Sequence, residues 1–157
     1  MPIKRSEALQ PLSRQHHNGL LFCLLLGKGL KKQAALKILQ DFCIAFYEED
    51  LLLHFQLEEH NLLILSTKYP LLAEGIARMK DEHTLISELF TSLRTKIKAE
   101  TLSSIETVVE QHIRFEERQL FPLIESTITP QELQNIGVAL ANEPEHNCMN
   151  YPVKFWE

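Results

Sequence analysis

Two segments of this chain carry the same polar spacing: His54, Glu58 and Glu59 in one, His112, Glu116 and Glu117 in the other. A histidine and a glutamate four residues apart lie on one face of a helix, one turn above each other, within reach of a common metal ion. Apolar residues surround both pairs: Leu51, Phe55, Leu62 and Leu65 near the first, Val108, Val109, Phe115 and Leu123 near the second. A carboxylate stays inside an apolar core only when paired or metal-bound, because stranding the charge costs several kcal/mol or shifts its pKa until it neutralises. Two such pairs facing one axis therefore ask for a cation. Pairs on ordinary solvent-facing helices would not have apolar neighbours on the same faces.

Further imidazoles occupy other segments. His83 lies between Met79, Ile86 and Phe90, and the doublet His16-His17 precedes Leu20, Leu21, Leu24 and Leu25. Adjacent residues differ by about a hundred degrees around a helix, so only one of the doublet turns fully inward. His17 shares the stripe of Leu20, Leu21 and Leu24; His16 shares that of Leu9, Leu12 and Leu20. His17 is narrowly preferred and His16 is kept as the alternative.

Imidazoles and carboxylates without a thiolate suit iron, manganese or zinc. The set is too large for one tetrahedral zinc; divided between two metals with bridging carboxylates, it leaves coordination positions open to oxygen, nitric oxide, hydroxide or water. His60, on a different face from His54, and His146, near the chain end, are set aside as ligands. Glu59 and Glu117 are expected in salt links with Lys68 or Arg118, or in support of the ligands, and Asp81 and Glu82 allow the same supporting role.

Positioning these groups falls to helices. Apolar residues recur at three- and four-residue spacing, and no β-branched run alternates with period two. A first helix is expected from about Leu12, with Ser13 or Ser6 as cap, to a stop at Gly27-Lys28-Gly29. A second runs from about Lys32 to Ser66, with room for a bend near Glu48 to Asp50, and ends before Pro70. A third runs from about Pro70 to Ala99 and a fourth from about Thr101 to Glu125. Thr129, Pro130 and Glu132 form the signature of a capping box opening a short fifth helix, about 130–142. A tail, 143–157, is expected to dock through Tyr151, Phe155 and Trp156. With 157 residues, about 45% of them hydrophobic, the chain fits one all-α domain: an antiparallel up-down-up-down four-helix bundle with a short fifth C-terminal helix.

Composition narrows the function classes. A formal net charge of −5 offers no broad basic surface, despite the local cluster of Lys28, Lys31, Lys32 and Lys37, so nucleic acid is excluded as a partner. Met1 to Gln10 lacks the apolar core of a secretion signal, and Leu20 to Leu26 is too short to span a bilayer, so a cytoplasmic protein with no membrane partner is expected. Cys23, Cys43 and Cys148 are odd in number and widely spaced, which fits reduced structural thiols better than a disulfide framework or thiolate zinc site.

From about Leu12 to Ile124 the chain resembles the hemerythrin-like (HHE cation-binding) family. The resemblance is carried by Leu12 to Leu20 with its His16-His17 doublet, by His54, Glu58 and Glu59, by Asp81-Glu82-His83, and by His112, Glu116 and Glu117 followed by Leu120-Phe121-Pro122-Leu123. It implies a four-helix bundle around a non-haem di-iron centre. The implied ligands are His17 or His16, His54, His83 and His112, with Glu58 and Glu116 bridging two Fe ions; Zn or Mn is a possible substitute. Oxygen-carrying members place two histidines one turn apart on the third helix, whereas Met79 and Ser87 stand four residues either side of His83. The resemblance is therefore closer to bacterial proteins implicated in sensing, nitric oxide response or iron handling. It implies binding of a small diatomic ligand (O2 or NO) or of iron rather than enzymatic turnover. The alternative is a di-iron oxidoreductase with ferroxidase or peroxidase-like activity, which the four-residue spacing and the small number of carboxylates disfavour.

Overall fold

The computed structural model describes residues 4–157, so the first three residues of the Met1 to Gln10 segment lie outside the described residues. Among the described residues, eight α-helices follow in order: α1 (Gln10–Lys31), α2 (Leu36–Phe46), α3 (Leu52–Leu62), α4 (Leu65–Lys68), α5 (Ala73–Thr95), α6 (Ala99–Phe115), α7 (Phe121–Thr127) and α8 (Pro130–Leu140). There is no strand among the described residues.

Two π-helical turns join consecutive helices. Tyr47–Leu51 links α2 to α3, over the stretch where a bend was expected, and Glu116–Leu120 links α6 to α7. Both adjoin the repeated polar motif: the first ends three residues before His54, and the second begins at Glu116. Such turns insert an extra residue into the helical ladder and re-aim the side chains beyond it, which is why they recur at functional sites.

Helix α1 does not stop at the Gly27 to Gly29 pair; it runs through both to Lys31. Gln33, in the left-handed region at φ 56°, makes the turn instead. Gly29 serves packing rather than termination. A Cβ there would lie 2.6 Å from Leu39 Cδ2 and 2.7 Å from the Phe155 ring, so hydrogen at this position lets α2 and the chain end close on α1. Neither proposed cap acts as one: Ser6 makes no side-chain capping bond, and Ser13 lies inside α1. The capping box opening α8 is present, with the Thr129 hydroxyl accepting from the Glu132 N–H and the Glu132 carboxylate accepting from the Thr129 N–H.

The core divides into two apolar clusters separated by a polar layer. One contains Phe22, Phe46, Phe55, Ile86, Phe90 and Val109; the other contains Leu12, Leu62, Met79, Phe115, Leu120 and Phe121. Each long helical stretch passes through both and carries its polar residues between: His16 between Leu12 and Phe22, His54 and Glu58 between Leu51 and Leu62, His83 between Met79 and Ile86, His112 between Val109 and Phe115. Helix α1 packs against α6 and α2, and α5 packs against α6 and α2. At the chain end Tyr151, Phe155 and Trp156 gather around Phe42, with ring centroids 5.0, 4.8 and 6.2 Å away. Cys23, Cys43 and Cys148 are free and buried. Burial pushes the Cys148 thiol up to about 12 and raises those of Cys23 and Cys43 further, which keeps all three protonated and unreactive near neutral pH.

Candidate metal centre

The polar layer consists of His16, His54, Glu58, His83, His112 and Glu116, all buried. Their ligand atoms form two groups, each with its atoms within 4.8 Å of one another: His16, His54, Glu58 and Glu116 in one; Glu58, His83, His112 and Glu116 in the other. Each group joins a pair of imidazoles to the same two carboxylates.

Burial decides between the doublet histidines. The buried stripe of α1 runs Leu12, His16, Gly19, Cys23 and Leu26, whereas Leu24, on the stripe assigned to His17, is 55% exposed. His17 is correspondingly exposed on the outside of α1, and the preference for it gives way to His16. His54, Glu58, His83, His112 and Glu116 lie together as the spacing suggested. His60 and His146 are exposed, and His146 contacts Asp50 instead.

Every buried imidazole is held from behind through Nδ1. His16 Nδ1 donates to Glu117 Oε2, His83 Nδ1 to Glu59 Oε2 and His112 Nδ1 to Glu82 Oε1, each at 2.7 Å. His54 Nδ1 donates to Gln15 Oε1 at 2.6 Å. Ionised carboxylates only accept, so Nδ1 carries the proton in His16, His83 and His112, the Gln15 amide oxygen accepts from His54 in the same sense, and a neutral ring turns its Nε2 lone pair toward the cluster.

Cations brace the supporting carboxylates in turn. Lys80 donates to Glu59 at 2.7 Å and Arg78 to Glu82 at 2.8 Å. Glu117 accepts from the Ser13 hydroxyl at 2.8 Å and lies 3.5 Å from Arg5, whose other nitrogen reaches Glu125 at 2.5 Å. Glu59 and Glu117 thus meet Lys80 and Arg5 rather than the Lys68 or Arg118 named from sequence. Phe55 stacks on His83 with centroids 3.9 Å apart, and Phe121 stacks on His16 at 5.3 Å.

Facing inward, the picture reverses. Glu116 Oε1 lies 2.6 Å from His112 Nε2 and 3.3 Å from His16 Nε2; Glu58 Oε1 lies 3.0 Å from His54 Nε2 and 3.2 Å from His83 Nε2. None of these contacts has hydrogen-bond alignment. Of the ten buried side-chain nitrogen and oxygen atoms without a hydrogen-bond partner among the described residues, eight are the four Nε2 atoms and the four oxygens of Glu58 and Glu116. Buried polar atoms are rarely left so, because each costs about 1–3 kcal/mol or more when charged. Unpartnered lone pairs converging in one layer fit metal ions as the missing partner.

The electrostatics agree. Burial alone would lower the pKa of His16, yet the carboxylates of Glu116, Glu117 and Glu58 raise it well above the usual value. Burial likewise opposes protonation of His112, and the charge of Glu116 overrides it to bring that ring to about 10. Burial would raise Glu58, while His54 and its other neighbours hold it well below the ordinary carboxylate range. The two buried carboxylates therefore draw protons or metal cations to the same Nε2 atoms.

A cavity of about 400 Å³ reaches this layer from the surface, touching His16, His54 and His112 at its floor. Sequence reading missed Gln15 as a support, the reach of Glu82 to His112 rather than to adjacent His83, and the bracing by Arg5. Each is a contact between different helices or between a terminus and a helix, and nothing in local spacing marks it.

A helical bundle enclosing a buried layer of converging imidazoles and carboxylates defines a metal-binding helical protein. The hemerythrin HHE cation binding domain matches residues 8–124, and the chain belongs to that family. Comparison with curated proteins and comparison with solved structures each gave no match.

Proposed function

We propose that the layer holds two iron ions and that the resulting centre binds a small diatomic ligand, O2 or NO, or takes part in iron handling. The observation that carries this reading is the set of eight buried, unpartnered donor atoms backed by four Nδ1–H supports. His16 and His54 would hold one ion and His83 and His112 the other, with Glu58 and Glu116 shared between them, since both carboxylates belong to both groups. Ferrous ions held there would supply electrons and open coordination positions for a diatomic ligand.

The protein's own part is orientation and exclusion. Glu117, Gln15, Glu59 and Glu82 fix the imidazole tautomers and raise their basicity. Phe55 and Phe121 pack on the faces of His83 and His16, and the two apolar clusters bound the layer on either side, so water would reach ions held there through the cavity. Glu59, Glu82 and Glu117 are occupied with Nδ1 atoms, so the carboxylate-rich surroundings of oxygen-activating oxidases are not assembled here.

The same reading takes the bundle as up-down-up-down. Support comes from the order in which the long stretches meet the two apolar clusters, which alternates from α1 to α3 to α5 to α6. No helix among the described residues is long and apolar enough to cross a membrane, which is compatible with the cytoplasmic setting we propose.

The test is anaerobic reconstitution with ferrous iron, metal analysis and absorption spectroscopy before and after exposure to air or nitric oxide. Uptake of about two irons per chain, a spectrum that changes on exposure, and loss of both in His54→Ala and Glu116→Ala are expected. Iron uptake indifferent to both substitutions overturns the reading.

A further inference from the structure

The cavity above the polar layer is much larger than a diatomic ligand requires. It offers about 400 Å³ and opens to solvent on one side, against roughly 10–15 Å³ needed to hold one water. Pockets for small organic molecules span about 300–1,000 Å³ and are mostly apolar with a few placed polar groups, often between the helices of a bundle. Above the floor of His16, His54 and His112, one inner side of the cavity is apolar and buried, formed by Leu51, Phe55, Ile86, Val109 and Ile113. Gly19, also on the lining, leaves space that Ile113 uses: a Cβ there would lie 2.7 Å from Ile113 Cδ1.

The outer wall is the segment from Pro144 to Asn147 together with Asn150, which lies beyond the residues matched to the family. Polar contacts hold this strap in place. Arg14 pairs with Glu145 at 2.5 Å, His146 contacts Asp50, and the Cys148 N–H donates to buried Asn18 Oδ1 at 2.8 Å. Because Glu145 offsets Arg14 and Asp50 is engaged by His146, Glu49 is the carboxylate left to give the mouth an acidic bias.

We propose that this cavity binds a small organic molecule whose apolar body lies inward along Leu51, Phe55, Ile86, Val109 and Ile113 and whose neutral or cationic polar end sits at the mouth. Glu49 disfavours an anionic head group there. The proposal stands on the cavity's shape and lining, so it survives if the iron reading fails, and the two fail in different experiments.

Titration of the full-length protein with 1-hexanol, n-hexylamine and hexanoate by calorimetry or ligand-observed NMR tests it. Saturable binding of the alcohol and the amine is expected, weakening about fourfold for each methylene removed, with hexanoate weaker by about tenfold or more. Val109→Phe fills the inner wall, and Leu53→Trp crowds the rim at a position already 37% exposed, where folding is not at stake. Each should weaken the alcohol by about tenfold with unchanged helical circular dichroism. No saturable binding of alcohol or amine, or binding that Leu53→Trp leaves unchanged, overturns the site; hexanoate binding as tightly as the amine overturns the assigned charge preference.

Discussion

His16 Nδ1 lies 2.7 Å from Glu117 Oε2, and Glu117 is the next residue after the carboxylate that enters the polar layer. The same relation joins His83 to Glu59, the residue after Glu58, again at 2.7 Å. The doubled Glu-Glu step therefore has a division of labour. The first carboxylate faces the cluster; the second, about a hundred degrees further round the helix, orients an imidazole of a neighbouring helix.

That division predicts the effect of Glu117→Ala. His16 would keep its place in the core but lose the group that fixes its tautomer, and metal affinity should fall about 10- to 100-fold. Competition with a chelator of known affinity measures it. Arg5→Ala, one contact further out, should show the same direction with a smaller loss, because Ser13 still donates to Glu117.

The doublet histidines give a sharp contrast. His16→Ala should reduce metal content from about two ions per chain toward one, since His16 is a member of one of the two donor groups only. His17→Ala, at an exposed site, should leave metal content unchanged. Elemental analysis of both variants, reconstituted side by side, checks this.

Protons and metal compete for the same nitrogens. In the ion-free protein the raised pKa values of His16 and His112, the latter about 10, mean that both rings hold protons near pH 7. Metal uptake must release them, so apparent affinity weakens as pH falls. Calorimetry in buffers of different ionisation enthalpy reads the proton release directly.

The ion-free fold should also have its own pH window. A raised histidine pKa contributes stability that is complete below the unfolded value near 6.5 and is lost as pH rises through about 10 for His112. The depressed Glu58 works in the other direction: its contribution is present above about 4.5 and lost as pH falls through its lowered value. Denaturation midpoints of the metal-free protein should therefore decline at both ends, and metal at a thousandfold excess over Kd should add about 4 kcal/mol near neutral pH.

Packing at Gly29 offers a test independent of metal. Gly29→Ala places a methyl 2.6 Å from Leu39 Cδ2 and 2.7 Å from Phe155, so the Leu39 branch and the Phe155 ring must both shift. A loss of about 1–3 kcal/mol is expected in urea unfolding, with metal stoichiometry unchanged.

Much of this arrangement was legible in the residues alone. His54 with Glu58 and His112 with Glu116 declared themselves because a four-residue spacing on one helix face is a local property, and so did His83 on its apolar stripe. The capping box at Thr129 is local in the same sense. The glycines at 27 and 29 misled because a helix stop and a close-packing site use the same residue, and only the neighbours, Glu106 at Gly27 and Leu39 with Phe155 at Gly29, distinguish them.

What the sequence by itself determined was the inventory and its periodicity: helices, their apolar stripes, and imidazoles and carboxylates on those stripes. Tertiary structure decided that His16 rather than His17 turns inward, because the buried face of α1 is set by what packs against it. It also decided that Gln15, Glu59, Glu82 and Glu117 each serve an imidazole on another helix, and that the chain end walls a cavity over the polar layer. Those contacts join residues far apart along the chain, and helical spacing carries no information about which faces will meet.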